Sequence, residues 1–175
     1  FLLNERIDNP EHILNDSIKL LDHRGPDSKG IWFDREKGIG LAHSRLSILE
    51  LSAAGSQPMK SFTGRYIITF NGEIYNHHEI RKLIEKNYSN FNFQGNSDTE
   101  TILSAIEIFG LEESLKIFKG MFAFAIWDKK SNNLTLCRDR LGEKPLYYSW
   151  IGNNFCFSSE INALKNFPGF RKLLD

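Results

Sequence analysis

Apolar positions along the chain fall into two rhythms. Residues 10–22 carry Ile13, Leu14, Ile18 and Leu21 on one stripe, with Pro10 at the first helical position and Asn9 placed to cap it, which predicts a helix ending before Gly25-Pro26. A second helix is expected after Asn76, burying Ile80, Leu83 and Ile84. Ser97-Asp98-Thr99-Glu100 has the S-x-x-E form of a capping box, opening a third helix whose Ile102, Leu103, Ile106 and Phe109 face a core and whose first turn holds Asp98. A short helix is expected over 112–118. Strands are expected over 31–33, 39–45, 66–70, 122–127, 134–137, 147–150 and 155–157, and a last helix after Ser159. Runs such as Phe122-Ala123-Phe124-Ala125-Ile126 lack polar alternation, so both faces of these strands should be covered, with helices outside and sheets within.

The 175 residues fit one domain of ordinary size, and no repeat, Gly/Ser linker or Pro-rich hinge divides them. A hydrophobic fraction of 41% and a charged fraction of 25% are globular values. With Lys+Arg 22 against Asp+Glu 22, no overall basic field draws the chain to nucleic acid or an anionic membrane. Its apolar runs fall far short of the roughly 20 residues that span a bilayer. Two cysteines, Cys137 and Cys156, make neither a disulfide framework nor a zinc site by themselves, and nothing resembling a secretory leader stands before them, so a reducing, cytoplasmic setting is expected. The chain opens Phe1-Leu2-Leu3-Asn4-Glu5 without an initiator Met, so residue 1 is not expected to be where translation began.

Candidate chemistry is sparse. Asn71-Gly72-Glu73 follows the 66–70 strand, where a carboxamide beside a conformationally free N–H makes a donor pair suited to an oxyanion; Asn-Gly is equally a hairpin-turn signal, although Ile74-Tyr75-Asn76 lead into a helix rather than a returning strand. Arg45 ends an apolar strand, where a guanidinium must reach solvent or an anion, and Asp98 suits the positive end of a helix dipole. Together they could hold the carboxylate and ammonium of one amino acid. The five His show no metal-ligand spacing, and His77-His78 reads as helix surface. Neither cysteine looks nucleophilic, since both lie in apolar strands, and Arg138 beside Cys137 should point to the opposite face.

Taken in order, the motifs resemble one family: the glutamine-hydrolysing domain of asparagine synthetases, a class II glutamine amidotransferase of the N-terminal-nucleophile hydrolase type. The resemblance rests on His23-Arg24-Gly25-Pro26-Asp27, Ala42-His43-Ser44-Arg45-Leu46-Ser47-Ile48, Gln57-Pro58, Phe70-Asn71-Gly72-Glu73-Ile74-Tyr75-Asn76, Ser97-Asp98-Thr99-Glu100, the stretch Gly120–Asp128, Arg138-Asp139-Arg140-Leu141-Gly142-Glu143-Lys144-Pro145-Leu146-Tyr147-Tyr148, and Ser158-Ser159-Glu160-Ile161. It implies an α+β fold, a four-layer αββα sandwich over residues 1–175. It also implies that Arg45 pairs with the α-carboxylate of glutamine and Asp98 with its α-ammonium. Leu46 and Ile48 would then line the pocket, Glu73 would join the polar network at the amino-acid end, and the Asn71 amide and the Gly72 N–H would form the oxyanion hole. Arg24 lies near the pocket in the family but receives no role.

The family begins Cys-Gly-Ile-Ala-Gly-Phe, its cysteine nucleophile using its own α-amine as base, whereas this chain begins at the corresponding Phe. Either the first segment is missing from an intact enzyme, which the complete set of binding residues and oxyanion donors favours, or the protein is a non-catalytic relative that binds glutamine or docks. A purely structural module would explain none of the polar motifs. The resemblance further implies a covalently linked C-terminal synthetase domain using ATP and Mg, no cofactor in the glutaminase domain itself, and ammonia delivered to aspartate or another carboxylate. A homodimer is left open.

Overall fold

A computed structural model describes residues 1–5, 7–46, 53–89 and 91–171. The described chain runs α1 (Pro10–Lys19), β1 (Ser28–Asp34), β2 (Ile39–Arg45), β3 (Met59–Lys60), β4 (Tyr66–Ile74), α2 (His77–Asn87), α3 (Asp98–Phe109), α4 (Leu111–Ile117), β5 (Gly120–Asp128), β6 (Asn133–Arg138), β7 (Tyr147–Ile151), β8 (Asn154–Ser158) and α5 (Ile161–Leu164), with single 3-10 turns at Asp22–Arg24 and Ala53–Gly55. The fold is α+β. It divides into two compact units, Phe1–Leu46 with Pro145–Asp175, and Ser47–Lys144. Because the first unit is built from both ends of the sequence, no linker or shift of composition marks it.

In the first unit, β1 pairs with β2 and β7 with β8, all antiparallel. The opening residues join the two hairpins: Leu2 bridges Ile39 on one side and Phe155 on the other, its N–H donating to Phe155 O at 2.8 Å. Leu14 of α1, Phe1, Cys156, Leu164 and Phe167 form the core, with Ala42 of β2 packed against it. Alternation along β2 therefore turns Leu41, His43 and Arg45 to the face away from the helices.

In the second unit the sheet order is β3-β4-β5-β6. Ile68, Phe70 and Ile74 of β4 and Phe122, Phe124 and Ile126 of β5 pack with Ile80 and Ile84 of α2 and Ile102, Leu103 and Ile106 of α3. The apolar run of β5 is buried from Phe122 to Trp127, as its composition requires.

Local differences from the sequence expectation have physical causes. Asn9 is left-handed (φ 49°) and its side chain makes no capping bond; its carbonyl accepts the His12 N–H instead. The helix stops at Lys19 rather than 22, tightening into the 3-10 turn. Leu83 is exposed, because α2 buries only its Ile80 and Ile84 side. His77, expected on the surface, is buried with its ring 3.9 Å from that of His78. Most consequentially, β4 does not end at Phe70: Asn71-Gly72-Glu73-Ile74 continue as strand opposite Ala123, Phe122, Met121 and Gly120.

Candidate functional site

The strand continues through Asn71-Gly72 because its neighbour comes close there. A Cβ on Gly72 would lie 2.2 Å from Met121 O and 2.7 Å from Phe122 Cα, and one on Gly120 only 2.1 Å from Glu73 O. Two glycines thus let β4 and β5 approach at the end where the candidate residues sit.

The antiparallel ladder fixes where each N–H of β4 points. Tyr75 donates to Lys119 O, so odd-numbered residues of β4 bond toward β5. Phe122, opposite Gly72, spends its own backbone on the other side, accepting from Asp139 N–H at 2.7 Å and donating to Asp139 Oδ2 at 3.1 Å. Even-numbered N–H groups of β4 therefore point to the edge away from β5. On that edge β3 pairs only with Ile67 and Ile68. Beyond it side chains take over: Phe70 N–H donates to Gln57 Oε1 at 2.7 Å and Ile74 N–H to Asp98 Oδ2 at 3.0 Å. Gly72 lies between them, and among the described residues no strand covers its N–H. Asn71 and Glu73, by alternation, rise from the sheet face away from the helices.

Asp98 is held where α3 begins. Ser97 caps the helix through its hydroxyl, which accepts the Glu100 N–H at 3.2 Å, as half of the expected capping box. The Glu100 carboxylate accepts the N–H groups of Gln94 and Gly95. Arg81 fastens the approach to the helix, donating to Gly95 O, Ser97 O and Thr101 Oγ1 at 2.7 to 2.8 Å. Asp98 itself is 6% exposed. Burial pushes its carboxyl above the usual range, the Ile74 N–H pulls against that, and the charge of Glu73 adds to the push.

In the first unit Arg45 is buried at the end of β2 and Leu46 follows it, exposed. His43 shares the Arg45 face; burial and the Arg45 charge push its pKa down to about 4, so it is neutral at pH 7. Ile48, with Ser47, lies outside the described residues. Arg24 donates to Glu160 Oε1 at 3.0 Å, with His23 2.9 Å from the same oxygen. A cavity of about 350 Å³ beside them, lined by Tyr147, Ser159 and Asn162 among others, contains none of the candidate residues.

The structure thus gathers Asn71, Gly72, Glu73 and Asp98 in the second unit and places Arg45 and Leu46 in the first. Burial pushes the thiols of Cys137 and Cys156 up to about 11, which leaves both protonated at neutral pH. Two residues escaped functional reading in the sequence. One is Gln57. The other is Asp139, whose carboxylate accepts N–H bonds from Phe122, Leu141, Glu143 and Lys144; burial pushes it up, but these four donors prevail and bring it down to about 2. Their signal was present as Gln57-Pro58 and Arg138-Asp139-Arg140, without a role attached.

Among the described residues this end of β4 thus presents a carboxamide and a backbone N–H that no strand covers, between the N–H groups that Gln57 and the buried Asp98 accept. The glutamine amidotransferase domain family matches residues 3–175, and the chain belongs to it. Among its relatives, a Methanocaldococcus jannaschii protein provisionally named asparagine synthetase (glutamine-hydrolyzing) 2 is 40% identical over 86% of this chain and 31% of its own length. Asparagine synthetase (glutamine-hydrolyzing) 1 of Bacillus subtilis is 39% identical over 88% of this chain and 23% of its own length. The amidase chry2 of Gibberella zeae is 36% identical over 88% of this chain and 22% of its own length. The chain therefore spans less than a third of these relatives. Among the described residues no helix is long and apolar enough to cross a membrane.

Proposed function

We propose that the chain is the glutamine-hydrolysing part of an enzyme that releases ammonia for amide formation. The observation that carries this reading is the Gly72 N–H beside Asn71, which no strand among the described residues covers, flanked by N–H groups that Gln57 and Asp98 have already engaged. In this reading the side-chain carbonyl of L-glutamine lies against that edge. Its α-ammonium pairs with Asp98, supported by Glu73; the family resemblance alone assigns its α-carboxylate to Arg45 and its flanks to Leu46 and Ile48. A cysteine thiolate attacks the carbonyl carbon, and the resulting oxyanion accepts from Asn71 Nδ2 and Gly72 N. The cysteine's α-amine, having taken the thiol proton, passes it to the departing nitrogen as the intermediate collapses, so the C–N bond breaks to release ammonia and a glutamyl thioester remains, which water hydrolyses to glutamate and the free thiol.

The register of the opening residues supports an N-terminal nucleophile. Leu2 lies opposite Ile39, and Phe1 exchanges backbone bonds with Gly40. Each step back ahead of Phe1 advances one residue along β2, so the fifth falls opposite Arg45. In the family's Cys-Gly-Ile-Ala-Gly-Phe start that fifth residue is the cysteine. Cys137 and Cys156, kept protonated by burial, are poor substitutes.

The names of two relatives, asparagine synthetase (glutamine-hydrolyzing), and the share of their length that this chain leaves unmatched support a linked synthetase domain; in this reading that domain uses ATP and Mg to amidate aspartate or another carboxylate, in the cytoplasm. The second reading, a non-catalytic glutamine-binding or docking domain, is separated by one experiment. Placing Cys-Gly-Ile-Ala-Gly ahead of Phe1, with the cysteine as the true N-terminus, should give ammonia release from glutamine and labelling by diazo-oxonorleucine. One further residue ahead of that cysteine should abolish both, because it turns the α-amine into an amide. Glutamine binding without either signal would favour the non-catalytic reading.

A further inference from the structure

We infer that Gln57 is a positioning residue: its carboxamide ties strand β4 to the start of helix α3 and so sets the direction of the Gly72 N–H relative to Asp98. The inference rests on the glutamine-hydrolysing reading and adds a residue to it. Gln57 Oε1 accepts the Phe70 N–H at 2.7 Å, and its Nε2 donates to Thr99 Oγ1 at 3.3 Å. Asp98, the residue before Thr99, accepts the Ile74 N–H. Two adjacent residues in the first turn of α3 are thereby joined to two N–H groups four residues apart on β4, one directly and one through Gln57. Gly72 is midway between the anchored points.

This arrangement replaces a neighbouring strand. Where β3 stops pairing, after Ile68, the Phe70 N–H would be buried without an acceptor: Phe70 is 4% exposed and Thr99 is 3% exposed. A continued β3 would satisfy Phe70, but its next residues would also cover the Gly72 edge. A single carboxamide satisfies one N–H and stops. It holds the strand straight while the next donor stays open. An oxyanion gains from such a donor only if its direction is fixed before the reaction, since reorienting it during the reaction costs what the hydrogen bond supplies.

The test uses the form bearing the N-terminal Cys-Gly-Ile-Ala-Gly segment and compares Gln57→Ala, Thr99→Val, Thr99→Ser and the double variant Gln57→Ala/Thr99→Val. Loss of one such tether should lower kcat for glutamine about tenfold. KM should change less than about threefold, because the groups that bind the amino-acid end are untouched. Thr99→Val should lower kcat in the same way, Thr99→Ser should retain it, and the double variant should be no worse than Gln57→Ala, since both changes break one bridge. The Gly72 amide resonance should move in Gln57→Ala and Thr99→Val but not in Thr99→Ser. If Gln57→Ala does not fold, Thr99→Val against Thr99→Ser carries the test. Unchanged kcat per folded protein, an effect confined to KM, additive losses, or a Gly72 resonance that ignores the bridge would overturn the inference. If the parent form releases no ammonia, the glutamine reading fails, and the Gly72 resonance alone decides the tether.

Discussion

Strand β4 is built differently at its two ends. Over Ile67 and Ile68 it is paired on both sides, by β3 and by β5, and beside that end Arg65 grips Asp128 with two hydrogen bonds of 2.9 and 2.6 Å. From Phe70 to Ile74, among the described residues, it is paired on one side only, and single side chains, Gln57 and Asp98, take up the Phe70 and Ile74 N–H groups on the other. The first end spends its backbone on stability. The second satisfies its buried N–H groups one at a time, which is the only way a sheet edge can be closed at two points and open at the point between them.

The largest effect should come from closing the gap between β4 and β5. Gly72→Ala would drive a methyl into Met121 O and Phe122 Cα, both backbone atoms, and should cost about 4 kcal/mol or more of folding stability. Gly72 has a positive φ (155°) and so has Gly64 (75°), but nothing lies within 4 Å of a Cβ added at Gly64; Gly64→Ala should cost only about 1 to 2 kcal/mol. Thermal or urea unfolding of the pair checks the contrast, and equal costs would mean that close approach is not what requires glycine at 72.

Next comes Asn71→Ala, which leaves the strand intact and removes one proposed donor. In the form with an N-terminal cysteine, kcat should fall about 10² to 10³-fold with glutamine affinity largely kept. A fall in affinity at unchanged turnover would move Asn71 out of the oxyanion role.

The smallest effects belong to the charged ends. Arg45→Ala and Asp98→Asn should each weaken glutamine about tenfold to a hundredfold, read by calorimetry. Asp98→Asn should also raise the Tm of the ligand-free protein at pH 7. A carboxyl whose native pKa lies above its unfolded one destabilises the fold when ionised: the cost is absent below the unfolded value, grows as pH rises, and is complete above the native value. The gain from Asp98→Asn should therefore shrink toward zero as the pH falls to about 3. A gain independent of pH would show that charge is not its cause.

The sequence disclosed most elements because their apolar periods are long enough to count, and the S-x-x-E box announced where α3 starts and so where Asp98 sits. It did not disclose that β4 runs on to Ile74. Asn71-Gly72-Glu73 has the composition of a turn, and only the close approach of Met121 and Phe122 explains why it is a strand. The local rule for Asn9 failed for the converse reason: a capping residue type was present, but its backbone took the left-handed conformation. Gln57 acts through a side-chain bond to backbone 13 residues away, and Asp139, besides its local bonds to Leu141, Glu143 and Lys144, through one 17 residues away; no local pattern encodes either long-range bond.

The most direct measurement tracks the amide of Gly72 itself in the ¹⁵N-labelled chain, with Phe70 and Ile74 as internal references. Without ligand the Gly72 N–H should exchange with solvent much faster than those two, and glutamine should shift its resonance while leaving that of Phe70 nearly in place. A Gly72 amide protected as strongly as Phe70 and Ile74, or one indifferent to saturating glutamine, would contradict the claim that this edge of β4 is the oxyanion site.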